Sequence, residues 1–479
     1  MTGGLRTMKC KINRRRFLQE MALGAATVSL PFRLKAANST ENMPNIIFIM
    51  ADDMGYGDLS CYGQKKFQTP NIDHIADEGT RFTNCYAGST ICAPSRSVLM
   101  TGQHTGHTRI RGNMCKIGGS VGYKGKQKVR RMYLTEEDRT VGHMLQKAGY
   151  RTGLIGKWHI GGYNPDAGPL KRGFDEFYGW LVRTAATLTP TYYPSKRYRN
   201  KQLYDVTGNE NNGRRHYHTD ICTDEAIEFL KNNKEHRFFL YLAYNNPHAP
   251  LDVPELGPYA DKDWPEPMKT YAAMIHRLDQ CVGKVMQTLK KLHIDEKTIV
   301  FFCSDNGPRS NYAETLTEVA DFFDSNGPLR GYKRDLFDGG IRVPMIVRWP
   351  GKVPSERTCD TAWYFADFLP TAAELAGTQP SENIDGVSIL PTLLGQSQDI
   401  HDRFLYWELF EGGFQQAVRW RNFKAIRLEQ GKPLLLFDLS EDLGEQRDIA
   451  ADHPEVIARI EEFLKTARTE SLNWPIESV

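Results

Sequence analysis

Asn45-Ile46-Ile47-Phe48-Ile49-Met50-Ala51-Asp52-Asp53 decides the fold class. Its apolar part is continuous rather than alternating, so as a strand it must be covered on both faces. The pattern recurs along the chain. Thr152-Gly153-Leu154-Ile155 runs into Gly156-Lys157-Trp158-His159, and Phe238-Phe239-Leu240-Tyr241-Leu242 into Asn245-Asn246-Pro247-His248. Thr298-Ile299-Val300-Phe301-Phe302 runs into Asp305-Asn306-Gly307. Helical spacing separates these runs: Val141, Met144 and Leu145 before Gly149; Ile275, Leu278, Val282, Val285, Met286 and Leu289 within 271–292; and residues 367–375 before Gly377. Strands alternating with helices predict an α/β protein whose large, mixed, mostly parallel sheet is sandwiched by helices. Ligands gather beyond the carboxyl ends of strands in such sheets, so the polar clusters are expected to converge on one site.

The character changes after Pro391. Short strand-like runs at 404–407, 416–419, 423–426 and 434–437, then a helix over 454–467, predict a smaller antiparallel C-terminal subdomain. The expected organisation is a catalytic domain at 44–390 and an α+β subdomain at 391–479. With 479 residues, 40% of them hydrophobic, the chain can bury a large core. A net charge of +3 argues against nucleic acid as the partner. Nine cysteines are spaced irregularly with no C-x-x-C pair, which argues against structural zinc. Residues 1–37 read as a targeting segment. Asn13-Arg14-Arg15-Arg16-Phe17-Leu18 resembles a twin-arginine export signal, and the apolar run over 21–32 is too short for stable membrane insertion. A frayed basic N-terminus is the other reading. The signal implies export through the twin-arginine machinery of a prokaryote, to the periplasm or beyond.

Cys92-Ala93-Pro94-Ser95-Arg96 reads as a helix start, since Pro94 suits a first turn where its missing N–H costs nothing. Cys92 at the positive end of the helix dipole, with Arg96 a turn on, reads as an anion-handling cysteine with a depressed thiol pKa, against the commoner reading of a lone cysteine as buried and inert. Asp52, Asp53, Asp305 and Asn306 supply hard oxygen ligands suited to Ca²⁺ or Mg²⁺. Alternation along an extended segment places Lys157 and His159 on one side, a cation beside a group that moves protons near neutral pH. A loop with an exposed lysine and a packed Trp–His pair competes with that reading. Prolines on both sides of His248 could aim its imidazole, or it is an ordinary surface histidine. Lys333 lies in Leu329-Arg330-Gly331-Tyr332-Lys333, ahead of Asp338-Gly339-Gly340-Ile341-Arg342-Val343-Pro344.

C-x-P-S-R-x-x-x-x-T-G, complete from Cys92 to Gly102, resembles the signature of the type I, formylglycine-dependent sulfatases of the alkaline phosphatase superfamily. Further matching motifs follow in order between Pro44 and Asp448. The resemblance implies that a formylglycine-generating enzyme oxidises Cys92, and that the hydrated aldehyde is the nucleophile. Asp52, Asp53, residue 92, Asp305 and Asn306 then surround a metal, usually Ca²⁺. Lys157 and Lys333 bind the sulfate, His248 contacts the leaving-group oxygen, and Arg96, Asp305 and His159 serve the nucleophile and the release of sulfate. Asp338 replaces the commoner Glu of the G-x-K…E-G-G-x-R-x-P stretch, which leaves that loop's bonding open.

The implied activity is a sulfuric ester hydrolase acting on a sulfated carbohydrate. Two segments outside the motifs are basic and aromatic: residues 116–131, with Lys124, Lys126, Lys128, Arg130 and Arg131, and residues 189–218, with Tyr192, Tyr193, Tyr198, Tyr217 and several cations. They read either as contacts to a sulfated glycan or as solvated loops. His104 and His107 stay unassigned. A phosphonate or phosphodiester hydrolase, and a non-catalytic glycan-binding protein, are the alternatives.

Overall fold

The computed structural model describes residues 43–124, 126–181, 191–310 and 314–476; the segment read as an export signal lies outside them. Ten strands form the main sheet. They are β1 (Asn45–Asp52), β2 (Thr80–Phe82), β3 (Arg151–Lys157), β4 (Glu176–Trp180), β5 (Lys196–Arg199), β6 (Gln202–Asp205), β7 (Phe238–Pro247), β8 (Thr298–Ser304), β9 (Met345–Arg348) and β10 (Arg357–Cys359). Their spatial order is β10-β2-β9-β8-β1-β7-β3-β4-β5-β6. The central strands β8, β1, β7, β3 and β4 run parallel, and antiparallel pairings join β8 to β9, β9 to β2, β4 to β5 and β5 to β6.

The sequence decides which face each residue of β1 covers. Ile46, Phe48 and Met50 belong to one core, Ile47, Ile49 and Ala51 to the other, as the period of two along a strand requires. The first core takes in α2 (Cys92–Thr101), with α1 (Pro70–Asp77) packed across the sheet in the second. The helices α3 (Val141–Lys147) and α7 (Phe368–Leu375) also cover the first face. The helices α4 (His218–Asn233), α5 (Glu266–Lys291) and α6 (Glu314–Phe323) cover the second. Phe48 meets Phe368 with ring centroids 4.5 Å apart, edge to face, and stacks on Phe301 at 5.7 Å. Such pairs add about 0.5–1.5 kcal/mol each beyond the area they bury. This paired, buried strand is a stiff mount for the acids at its end.

Two boundaries differ from the sequence reading. The helix α5 begins at Glu266 rather than at residue 271, because Pro267 falls in its first turn, where proline removes no helical bond. Strand β7 continues past Leu242 through Asn245 and Asn246 to Pro247, every residue buried. Its polar tail finds partners: Asn245 Oδ1 accepts from Trp180 Nε1 at 3.1 Å and Asn246 Nδ2 donates to Met274 O at 2.9 Å.

The antiparallel C-terminal sheet comprises β11 (Phe404–Leu409), β12 (Gln415–Trp420), β13 (Phe423–Arg427) and β14 (Leu435–Asp438). Leu405, Trp407, Leu409, Ala417, Ile426 and Phe437 join the first core of the main sheet. Tyr406, Val418, Ala425 and Leu436 face the other way, against Val456 and Ile460 of α8 (Pro454–Leu464). Every cysteine among the described residues is a free thiol.

Candidate active site

The carboxyl ends of β1, β3, β7 and β8 deliver the polar clusters to one place. Between β1 and β7 the register slips after Met50, so that Asp52 faces Pro247, the neighbour of His248. Asp53 leaves the strand in the left-handed region (φ 65°), one of the few side chains that tolerates it. Its N–H donates to Asp305 Oδ1 at 3.2 Å, and the Asp305 N–H donates to Ala51 O at 3.2 Å. The two acidic strand ends are thereby stitched together.

Cys92 opens α2, and the whole helix is buried. Its Sγ lies 3.5 Å from Asp52 Oδ1, 3.8 Å from Asp53 Oδ1 and 3.1 Å from Lys333 Nζ. Arg96, one turn on, turns to Asp305: Nε and Nη2 donate to Oδ2 at 3.0 and 2.7 Å, while Nη1 donates to Lys157 O and Tyr241 OH at 3.2 Å each. Lys157 Nζ donates to both oxygens of Asp52, at 2.7 and 2.6 Å. Lys333 Nζ pairs with Asp53 Oδ1, which also accepts from Asn306 Nδ2 at 2.8 Å. His248 Nε2 stands 3.6 Å from Asp53 Oδ2. Its Nδ1 donates to Ala249 O at 2.5 Å, and Tyr192 OH holds the loop by donating to His248 O at 2.5 Å.

Charge placement corrects two expectations. The Cys92 thiol is not depressed but pushed up to about 12, chiefly by burial and then by the Asp305 carboxylate, against the pull of Lys157 and Lys333. The helix start that should favour a thiolate is sealed from water and shares its space with acids. His159 does not follow the extended alternation, since its backbone is left-handed (φ 67°). Burial first, then the charges of Lys157, Arg131, Arg96 and Lys333, hold its pKa well below the usual range rather than near neutrality. Arg131 Nη1 donates to His159 Nε2 at 3.3 Å, which leaves Nδ1 buried without a partner. Burial likewise lowers His248, with Asp53 opposing. Burial would raise Asp53, but Lys333, His248 and Lys157 outweigh it and hold the carboxyl well below its usual range. Burial and the Asp52 charge raise Asp305.

Asp53 Oδ2 and Asn306 Oδ1 are buried and unpartnered. A buried acceptor without a donor costs about 1–3 kcal/mol, more when charged. Two such oxygens beside the carboxylates of Asp52 and Asp305 are the donor set of a hard divalent cation. Asp52, Asp53, Cys92 and His248 each offer a ligand atom within 4.8 Å of the others.

The two basic segments part company. In the second, Tyr192, Tyr193 and Tyr217 are buried in a small core of their own, Arg199 pairs with Glu225 and Arg214 with Asp252. Those three rings pack inside the fold while the two paired arginines stay about half exposed, and Thr189 lies outside the described residues. The first segment folds as a hairpin, Ser120–Lys124 against Gln127–Arg131, whose cations Lys126, Lys128 and Arg130 are exposed. Arg131 at the end of the hairpin reaches His159, a contact that nothing in the local sequence marks. His104 and His107 stack at 4.4 Å and pair with Asp385 beyond the carboxyl end of α2.

A family model described as Sulfatase matches residues 44–378. The chain belongs to the sulfatase family. A second model, "N-sulphoglucosamine sulphohydrolase, C-terminal", matches residues 331–470 of this sulfatase and runs through the small sheet. The human N-acetylgalactosamine-6-sulfatase is 33% identical over 382 residues, 75% of this chain and 67% of that protein. The N-acetylgalactosamine-6-O-sulfatase of Bacteroides thetaiotaomicron is 29% identical over 495 residues, 89% of this chain and 93% of its own. Among solved structures, Ps i-CgsB in complex with k-i-k-neocarrahexaose superposes with a TM-score of 0.76 at 31% identity, covering 89% of this chain and 94% of that one. The sulfatase thus carries the α/β architecture expected from its sequence, with the motif residues gathered at one end of the sheet.

Proposed function

We propose that this sulfatase cleaves a sulfate monoester on a sulfated carbohydrate, using a formylglycine formed from Cys92 and a bound Ca²⁺. Relatives named N-acetylgalactosamine-6-sulfatase and N-acetylgalactosamine-6-O-sulfatase, and a structural neighbour solved in complex with k-i-k-neocarrahexaose, support a glycan substrate. The single observation that carries the chemistry is the position of Cys92 Sγ, within 3.8 Å of both carboxylates of the acidic pair and 3.1 Å from Lys333 Nζ.

Asp52, Asp53, Asp305 and Asn306 would hold the cation beside residue 92, and its preference for oxygen over softer ligands favours Ca²⁺ or, less well, Mg²⁺. When present, the cation would supply charge neutralisation at the sulfate and the attacking oxygen, and the hydrated aldehyde at residue 92 would supply that oxygen. The chain's own residues do the rest. Lys157 and Lys333 take charge on the sulfuryl oxygens, preorganised donors in a site that excludes water. Arg96 holds the Asp305 carboxylate in place, and Asp305, with its raised pKa, receives a proton from the nucleophile. His248 faces the departing alcohol through Nε2 and passes it a proton only in its protonated form, since Nδ1 donates to Ala249 O; the Lys333 ammonium is the charged acid beside it. His159, neutral and with Nε2 accepting from Arg131, carries its ring proton on Nδ1 and offers that N–H to the site when sulfate leaves.

The reading includes a formylglycine-generating enzyme as partner, twin-arginine export of the folded protein, and a periplasmic or extracellular location. No helix among the described residues is long and apolar enough to cross a membrane. It also divides the chain at 390/391 into a catalytic domain and a C-terminal subdomain. The exposed hairpin, with Tyr123 62% and Val121 42% exposed beside Lys128 and Arg130, is the rim offered to a charged glycan. Mass spectrometry of the tryptic peptide 82–96, from protein made with the maturation enzyme, should find residue 92 as an aldehyde or its hydrate. An active sample with an intact thiol at that position refutes the mechanism.

A further inference from the structure

We propose that Arg309 grips a second anionic group, a sulfate or a carboxylate, on the sugar that carries the scissile ester. The proposal rests on the sulfatase reading above.

The mouth of the site fixes the direction from which a substrate arrives. Asp52, Asp53, Arg96, Lys157, Asp305, Asn306 and Lys333 are no more than 5% exposed, whereas the His248 side chain is 17% exposed. A bound ester therefore sends its sulfuryl group inward to the lysines and its alcohol outward past His248. Arg309 lies beside His248, close enough for its charge to act on the imidazole. It follows Asp305-Asn306-Gly307-Pro308 directly, and Pro308 O accepts the Lys333 N–H at 2.9 Å, which ties its strand-end loop to the sulfate-binding segment. Arg309 lines a small cleft with Asp53, Tyr271 and the residues on either side of His248, Pro247 and Ala249.

Among the described residues Arg309 has no partner for its charge. Its Nε is buried without a hydrogen-bond acceptor, and among the described residues no carboxylate pairs with it. The other arginines near this end of the molecule are committed: Arg96 to Asp305, Arg334 to Glu411, Arg342 to Asp338. Arg172 and Arg403 also have an unpartnered Nε, but their terminal nitrogens donate to Leu134 O and to Asp367. A half-buried guanidinium with an idle fork, next to a site built for oxyanions, is complementary to a planar or tetrahedral oxyanion. Lys157 and Lys333 already meet the charge of the scissile sulfate. The anion left for Arg309 thus belongs to the leaving sugar, and the substrate class is a glycan unit with two negative groups rather than one.

The test uses the matured enzyme and four substrates: 4-nitrophenyl sulfate, a monosulfated hexosamine, the same hexosamine carrying two sulfates, and a hexuronic acid carrying one sulfate on the same ring. Wild type should prefer one of the doubly charged sugars over the monosulfated one in kcat/KM, and which one identifies the anion as sulfate or carboxylate. Arg309→Gln should shrink that preference about ten- to a hundredfold, mainly through KM, as expected when a charged hydrogen bond is lost. Arg309→Lys should restore part of it, since the charge returns without the fork. A wild type that releases sulfate with no preference, or an Arg309→Gln loss equal on singly and doubly charged sugars, overturns this proposal alone. A matured wild type that releases sulfate from none of the four overturns the sulfatase reading, and this proposal with it.

Discussion

Lys333 Nζ stands 3.1 Å from Cys92 Sγ and pairs with Asp53 Oδ1, so one ammonium serves both the nucleophile position and the acidic pair. Burial alone would lower its pKa; the charge of Asp53 outweighs that and raises it above the usual lysine range, so the group is charged at any working pH. Lys333→Ala should lower kcat/KM on an aryl sulfate by about 10²–10³, the loss typical of one preorganised donor facing developing charge. The same change leaves the Asp53 carboxylate buried with less compensation. Breaking such a pair costs about 3–5 kcal/mol. That loss should appear in denaturant melts run with a chelator and shrink when Ca²⁺ is added, because a bound cation replaces the missing charge. Equal destabilisation with and without Ca²⁺ would remove the cation from Asp53. Lys333 also marks the limit of legibility at this scale. Its residue type and neighbours point to sulfate through a family motif, yet nothing local tells that its partner is Asp53, or that burial raises the Cys92 thiol.

Strand β3 shows how an element aims a side chain. Gly156 sits at φ +106°, and a Cβ there would lie 2.0 Å from Ala243 O of the neighbouring strand β7. Both the dihedral and the contact exclude other residues. The close approach brings β3 against β7 just before Lys157, whose Nζ must reach Asp52. Gly156→Ala should push the strands apart, destabilise the fold by more than about 1 kcal/mol, and cut turnover by about 10² through a misplaced Lys157. A variant that keeps wild-type melting and activity would show that the approach is not needed. Elements of this kind are the most legible part of the chain. Continuous apolar runs this short, bounded by glycine and polar turn residues, read as doubly covered strands, and each of the parallel strands read from sequence exists. Their polar tails are harder. Strand β7 runs on through Asn245 and Asn246 because Trp180 and Met274 satisfy their amides, and neither partner is visible from local pattern. The left-handed turn at His159 likewise has no glycine to announce it.

At the scale of the whole molecule, the small sheet is locked to the catalytic end by a buried charge cluster. Lys424 Nζ on β13 lies 2.7 Å from Asp338 Oδ1 and 2.9 Å from Glu445 Oε1, all three side chains fully buried. Tyr86 OH donates to Asp338 Oδ2 at 2.8 Å, and the Asp338 N–H donates to Glu445 Oε2 at 2.6 Å. This settles the bonding of the segment in which Asp replaces the commoner Glu: its carboxylate reaches across to the C-terminal sheet, and the loop carrying Lys333 is braced from behind. The cluster gives stability a pH dependence with a defined sign. Burial would raise Asp338, but Lys424, Arg342 and Arg419 outweigh it and hold it at about 2, below its ordinary 3.8. Its contribution is therefore complete above about pH 4 and is lost as pH falls toward 2. Glu445 goes the other way. Burial outweighs Lys424, and the neighbouring Asp338 charge adds to it, so its pKa rises to about 7 from 4.5. Its contribution is complete below 4.5 and is lost as pH climbs through 7, since the folded state then holds a proton that the unfolded chain has released. Denaturant unfolding measured from pH 5 to 8 should show wild-type stability declining with pH relative to Glu445→Gln, which has no proton to lose. A difference between the two that stays constant across that range would place the charge of Glu445 in the folded state at all these pH values, with Lys424 neutralising both acids at once.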